Sequence, residues 1–292
     1  MKGLGGVIVV LVSLFGMGGG RDFVLVGENR GKVDGTVGGK VEGGNEMSLM
    51  LDALDTPSDT GYKTIHIFVA LCDNKYQGIV NVPAKIGNGQ DPNANLYWGC
   101  GYGIRTYFKK SQDWILLKTY KPDSVRLERI VFKHRTKKFY LVADAYDGKH
   151  IKYCTVDFLR SSCGQYLDTL SIENKTIGIA GNSSLVAYIG HDGLMDFQLN
   201  QKFINTDKKK RDVIILACYS KHYFAPHLKE ANVNALVWTT GLMAPEAYTV
   251  HDAIMGYTNN ESNESIRSRA ALAYSKYQKC SEKAARNLLV SN

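Results

Sequence analysis

The chain has 292 residues, 44% hydrophobic and 22% charged, an ordinary globular composition with room for one sizeable domain plus appendages. Its net charge of +8 and pI near 9.0 favour acidic surfaces weakly. It has no basic stripe with interleaved aromatics and no known module, so nucleic acid is not an expected partner. The six cysteines form no C-x-x-C pair, which leaves metal ribbons and thioredoxin-type motifs unsupported, and no cofactor is expected.

Residues 1–20 read as an export segment. Lys2 supplies a positive start, residues 7–15 are apolar except for Ser13, and Gly18, Gly19 and Gly20 precede Arg21. The apolar core is short for a spanning helix, so a secretory signal peptide is the better match and a secreted or periplasmic location follows. An uncleaved anchor is the alternative, and only then is a membrane a partner. Residues 21–62 read as a Gly-rich linker or pro-segment. Positions 27–45 lack aromatics and cannot bury enough surface to offset ordering entropy. A short helix is expected over 46–54.

The folded domain is expected over 63–292. Residues 65–71 form an apolar strand ending in Cys72, Asp73 and Asn74, and a long polar loop follows through 87–93. A crossover helix is expected over 96–110 and strands over 114–117, 130–132 and 139–143. Asp147-Gly148 signals a hairpin turn with 149–156 returning, which makes a β-rich insertion beside the main sheet. Residues 158–170 read as helical, interrupted by Gly164. The cluster Lys208, Lys209, Lys210 and Arg211 reads as a solvated loop.

Two further apolar runs end abruptly in reactive side chains. Residues 185–189 lead into Gly190-His191-Asp192-Gly193, and residues 213–217 lead into Cys218-Tyr219-Ser220. Helices are expected over 224–231, 245–257 and 265–289, with a strand over 235–240. Strands alternating with helices give an α/β class with a mainly parallel sheet and right-handed crossovers. In such a sheet, ligands bind outside the carboxyl ends of the strands, where His191 and Cys218 both emerge. A Cys within reach of a His is the minimal nucleophile and base pair. If Cys218 is a free thiol, five cysteines remain, which argues against a dense disulfide framework.

Other constellations carry less. His222 and His227 have i, i+5 spacing rather than the i, i+4 of helical metal sites, and with His251 they read as surface or packing residues. Asp144 and Asp147 read as turn residues. Gly99, Gly101 and Gly103 lack the dinucleotide-binding spacing.

The pieces Gly190-His191-Asp192-Gly193 and Leu216-Ala217-Cys218 resemble the cysteine peptidases of the caspase, legumain, clostripain and gingipain group and the related CHAT domains. Those families carry a His-Gly after one buried strand and an Ala-Cys or similar pair at the end of the next. The resemblance covers roughly 64–257 as a pattern of elements. It implies a caspase-haemoglobinase-like three-layer fold with a β-hairpin insertion. It also implies an exported cysteine endopeptidase acting on a peptide or protein substrate, with Cys218 as nucleophile and His191 handling the proton. The backbone N–H groups of Gly193 and Cys218 would stabilise the oxyanion. Asp192 departs from the pattern, because the family carries Gly directly after the His. The alternative is a catalytically inactive caspase-like fold that acts as a secreted or periplasmic binding protein. No G-x-S-x-G elbow supports a hydrolase of another family.

Overall fold

The computed structural model describes residues 61–292. The expected export segment over 1–20, the helix over 46–54 and all but the last two residues of the Gly-rich stretch lie outside the described residues. Strand β1 (Lys63–Ala70) is the centre of the fold, and every residue after Lys63 is buried. Helix α1 (Ile104–Lys110) and strands β2 (Trp114–Tyr120), β3 (Arg126–His134) and β4 (Phe139–Tyr146) follow it. Next come α2 (Ile151–Ser162), the pair β5 (Leu167–Ile172) and β6 (Lys175–Ala180), then β7 (Leu185–Gly190) and β8 (Arg211–Leu216). The chain closes with α3 (Ser220–Leu228), β9 (Val233–Thr239), α4 (Ala247–Thr258), α5 (Asn263–Gln278), α6 (Glu282–Leu288) and β10 (Leu289–Val290).

Eight strands form one mixed sheet in the order β10-β9-β8-β7-β1-β4-β3-β2. The five central strands, β9 to β4, are parallel, and the outer strands β10, β3 and β2 pair antiparallel. Among the described residues, the class is α/β with a mostly parallel sheet and six α-helices. Side chains alternate across β1, so Ile65, Ile67 and Val69 pack with α1, α4 and α5, while Phe68 and Ala70 pack with α2 and α3. Strands buried on both faces read as continuous apolar runs, which is why β1, β7 and β8 were legible in the sequence. Among the described residues, no helix is long and apolar enough to cross a membrane.

Several elements differ from expectation. Asp147-Gly148 turns no hairpin. The Asp147 side chain accepts the Lys149 N–H and caps a 3₁₀ turn (Gly148–His150) that leads directly into α2. Strands β3 and β4 are therefore part of the main sheet rather than an insertion beside it. The separate hairpin is β5–β6, closed by Glu173 and Asn174 at φ 48° and 59°, the left-handed pair of a two-residue hairpin turn. It lies over β3 and β4 through Ile177 and Ile179.

The expected helix over 96–110 is helical only from Ile104. Upstream, the Asn95 amide binds the Cys72 backbone twice, accepting its N–H at 3.1 Å and donating to its carbonyl at 2.8 Å. A Cβ at Gly99 or Gly103 would also overlap neighbouring backbone. The expected helix over 265–289 is two helices, parted where Lys279 turns left-handed and Ser281 caps α6. Asp144 is buried inside β4 rather than in a turn. Lys208, Lys209 and Lys210 are exposed, whereas Arg211 is buried, donating to the Gly181 carbonyl and pairing with Asp207.

Candidate active site

The ladder between β7 and β8 ends at Ile189 opposite Leu216. His191 and Cys218 each follow two residues later, so both sequence-predicted side chains leave neighbouring strands at the same carboxyl edge. Gly190 makes the exit possible. Its φ is +137°, and a Cβ there would come within 2.5 Å of the Ala70 carbonyl oxygen on β1.

His191 is 6% exposed, and its Nε2 lies 2.7 Å from Oδ2 of Asp196. That oxygen also accepts the Gly78 N–H at 3.0 Å, from the loop that follows β1. Gly78 has no side chain because a Cβ would strike the Asp196 carboxylate. Burial works against the Asp196 charge, but the His191 ring and the Gly78 amide outweigh it and hold the carboxyl below its ordinary range. Asp196 thus fixes the orientation of the His191 ring, a contact that sequence reasoning missed. Its one signal was an acid five residues beyond a strand-end His, just after the 3₁₀ turn Gly193–Met195.

Cys218 is partly exposed, and its sulfur sits against the backbone of Met243. The Met243 N–H donates to Sγ at 3.5 Å, and Sγ lies 3.6 Å from the Met243 carbonyl. Burial pushes the thiol up, the Met243 amide opposes, and the charge of Asp192 raises it further. Cys218 therefore rests as a thiol at neutral pH. No hydrogen bond joins it to His191 among the described residues.

The turn after Cys218 is tightly fixed. Tyr219 is left-handed at φ 50°, a conformation that costs a non-glycine residue about 1 kcal/mol. Its N–H donates to the Gly241 carbonyl at 2.8 Å. Ser220 holds the other side, accepting the Thr239 N–H at 2.9 Å and donating to the Ile215 carbonyl at 2.8 Å. The Cys218 N–H has no acceptor among the described residues.

Asp192 and Gly193 both lie inside the structure. Oδ1 of Asp192 accepts the Leu194 N–H at 3.0 Å, while the buried Oδ2 has no partner. Burial raises this carboxyl to about 7, the Leu194 amide opposing and the Asp196 charge adding. The Gly193 amide meets the buried Tyr188 phenol, and a Cβ at Gly193 would press on Phe197 and Thr155.

Of the remaining cysteines, Cys72, Cys154 and Cys163 are buried, and all six are unpaired. Burial pushes Cys72 up to about 12 although the Tyr97 hydroxyl opposes it. His251 packs between Tyr107 and Phe108, and His227 against Phe203. Among the described residues, no three His, Cys, Asp or Glu side chains are grouped to hold a metal ion. Compared with known proteins, the chain matches no family model, no curated protein and no solved structure.

Proposed function

We propose that the chain is a cysteine endopeptidase of the caspase-like type, with Cys218 as nucleophile and His191 as base. The observation that carries this reading is the in-register exit of the two side chains from β7 and β8, with Cys218 partly exposed. The order β9-β8-β7-β1-β4 of parallel strands under helices on both faces agrees with it. So do the exposed apolar side chains on loops at this edge, among them Tyr76, Val80, Met195, Tyr219 and Leu242, which suit an extended peptide.

In the proposed reaction, the Cys218 thiol gives its proton to His191 as sulfur attacks the scissile carbonyl, forming the C–S bond. His191 then passes that proton to the leaving amine as the C–N bond breaks. Water enters by the same base, hydrolyses the thioester and restores the thiol. Because the thiol is neutral at rest, the base must act during attack rather than before it. Asp196 holds the imidazole at Nε2, which leaves Nδ1 to exchange the proton. The Cys218 N–H is the first oxyanion donor. The Gly193 N–H serves as the second only when its contact with Tyr188 opens.

Export of the chain remains part of this proposal and rests on residues 1–20 alone. The test is digestion of a peptide library read by mass spectrometry. Cleavage that is lost in Cys218→Ala supports a peptidase. Intact peptides, or cleavage that survives the substitution, favour the inactive binding protein.

A further inference from the structure

The five parallel strands begin at one edge of the sheet, opposite the edge where His191 and Cys218 emerge. Lys63 pairs with Phe139, Ile65 with Leu185, Leu185 with Asp212 and Arg211 with Val233, so the segments leading into these strands lie side by side. Those segments are basic. Lys63, Arg135, Lys138, Lys208, Lys209 and Lys210 are all exposed, and none of them forms an ion pair among the described residues. With about 4.8 Å between neighbouring strands, the row from the β3–β4 turn to the start of β9 is about 24 Å long. Most acids near it are already engaged. Glu173 pairs with Lys133 at 2.8 Å, Asp207 with Arg211, and Glu261 with Arg269 at 2.6 Å. Asp212 accepts from Nδ2 of Asn234 at 2.6 Å, and Glu230 stands exposed beside Lys229.

Two further observations bear on what meets this row. Ile204 is 43% exposed on the loop before β8, and Asn205 next to it ties that loop to the edge. The Asn205 backbone N–H donates to the Glu230 carbonyl at 2.9 Å, and its Nδ2 donates to the Ala231 carbonyl at 3.1 Å. The chain before the described residues joins the domain at this edge as well. A Cβ added at Gly61 would lie 3.8 Å from Nζ of Lys138, so the apolar run over 7–15 is connected to the domain from the basic side. Lysine ammonium groups beside an exposed apolar side chain suit a layer of anionic headgroups, where the charges meet phosphates and the apolar group enters the interface. Five of the six cations are lysines, point charges that lack the fork with which arginine reads base edges.

We infer that the amino edge of the sheet is a docking face for an anionic lipid bilayer, with Lys208, Lys209 and Lys210 as its densest part and Ile204 entering the interface. Docked this way, the opposite edge with His191 and Cys218 faces away from the lipid, separated from it by about 20 Å of strand. The inference goes beyond the peptidase reading and holds whether or not Cys218 reacts.

The test uses the full chain with vesicles of phosphatidylcholine alone or with about 30% phosphatidylglycerol, in about 0.1 M salt. Exposed lysines are acetylated with a water-soluble succinimidyl ester and located by mass spectrometry. Lys138, Lys208, Lys209 and Lys210 are expected to react several-fold more slowly on the anionic vesicles, whereas Lys75, Lys85 and Lys149, beyond the carboxyl ends of the strands, change by less than about twofold. In vesicle flotation, Lys208→Glu, Lys209→Glu and Lys210→Glu together are expected to weaken the preference for anionic vesicles by about tenfold or more. Lys75→Glu, Lys85→Glu and Lys149→Glu together should leave it within about twofold. Equal protection on both kinds of vesicle, or equal protection at both edges, overturns the inference, as does a preference that survives the first triple substitution. An equal loss in both triple variants would make net charge alone responsible and overturns it too. Duplex DNA bound more tightly than the anionic vesicles through the same lysines would assign the edge to nucleic acid and overturn it likewise.

Discussion

Asp192 and Asp196 are four residues apart, and their surroundings give them opposite tasks. Asp196 has a ring nitrogen and an amide for its charge, so it stays ionised and fixes His191. Asn at this position keeps the size but loses the charge. Asp196→Asn is expected to slow peptide hydrolysis by about 10- to 100-fold at neutral pH with little change in melting temperature, as steady-state kinetics on the two proteins would show. Asp192 has neither cation nor second hydrogen bond. Its folded value is raised, so its contribution to stability is complete below about pH 4 and lost as pH rises through about 7. Asp192→Asn is therefore expected to stabilise the protein by about 2 kcal/mol at pH 8 and to change little at pH 4, measured by urea unfolding at both values. The ionised carboxylate also raises the Cys218 thiol, so the same variant should speed iodoacetamide alkylation at pH 8 and leave it nearly unchanged at pH 5.

At the level of elements, the join between β8 and α3 positions Cys218, the proposed nucleophile. Ser220 links this join to β9 through Thr239 and to β8 through Ile215, all of it buried. Ser220→Ala strands the Thr239 amide and is expected to cost about 2 kcal/mol, read as a drop in melting temperature, with reactivity at Cys218 falling as the turn loosens.

The strands of this region were legible because apolar runs such as 185–189 and 213–217 admit few other readings, and because His191 and Cys218 stand where those runs stop. Asp147-Gly148 misled for a physical reason. The same pair that favours a hairpin also caps a helix, and the choice was made by Ile151, Cys154 and Phe158 burying one helical face against the sheet. Asp196 was hidden more deeply. Its place is fixed from two sides, by His191 five residues earlier and by Gly78 on the loop after β1, and of the second meeting local pattern carries no trace.

Across the whole molecule, a buried charge network ties the sheet to its hairpin. Arg129 on β3 grips both oxygens of Asp144 on β4 at 2.6 Å, and Asp144 accepts from Nε2 of His66 on β1 at 3.2 Å. The Ala180 N–H on β6 donates to Nδ1 of His66 at 2.9 Å, so the ring is neutral with its proton on Nε2. Burial lowers the His66 value, with the Arg129 charge adding to that and Asp144 opposing. Its contribution to stability is accordingly present above about pH 6.5 and lost as pH falls below it, because the unfolded chain then binds the proton more readily. Melting temperatures between pH 7.5 and 5 should fall for the native protein, and His66→Gln should lower stability overall while flattening that slope. A slope unchanged by the substitution would assign the acid sensitivity elsewhere.

The carboxyl edge of the same sheet is where the proposed dyad lies, and the proposal that Cys218 and His191 act as one unit there can be measured directly. Peptidyl acyloxymethyl ketones that differ in the residue before the ketone, Lys among them, would be incubated with the full chain at neutral pH and the modified residue located by mass spectrometry. At least one member of the panel is expected to label Cys218 much faster than iodoacetamide does, with His191→Ala reducing that rate by about 100-fold or more. Labelling of Cys218 at equal rates in both proteins, or no labelling of it by any member, would contradict the dyad and leave the chain a binding protein.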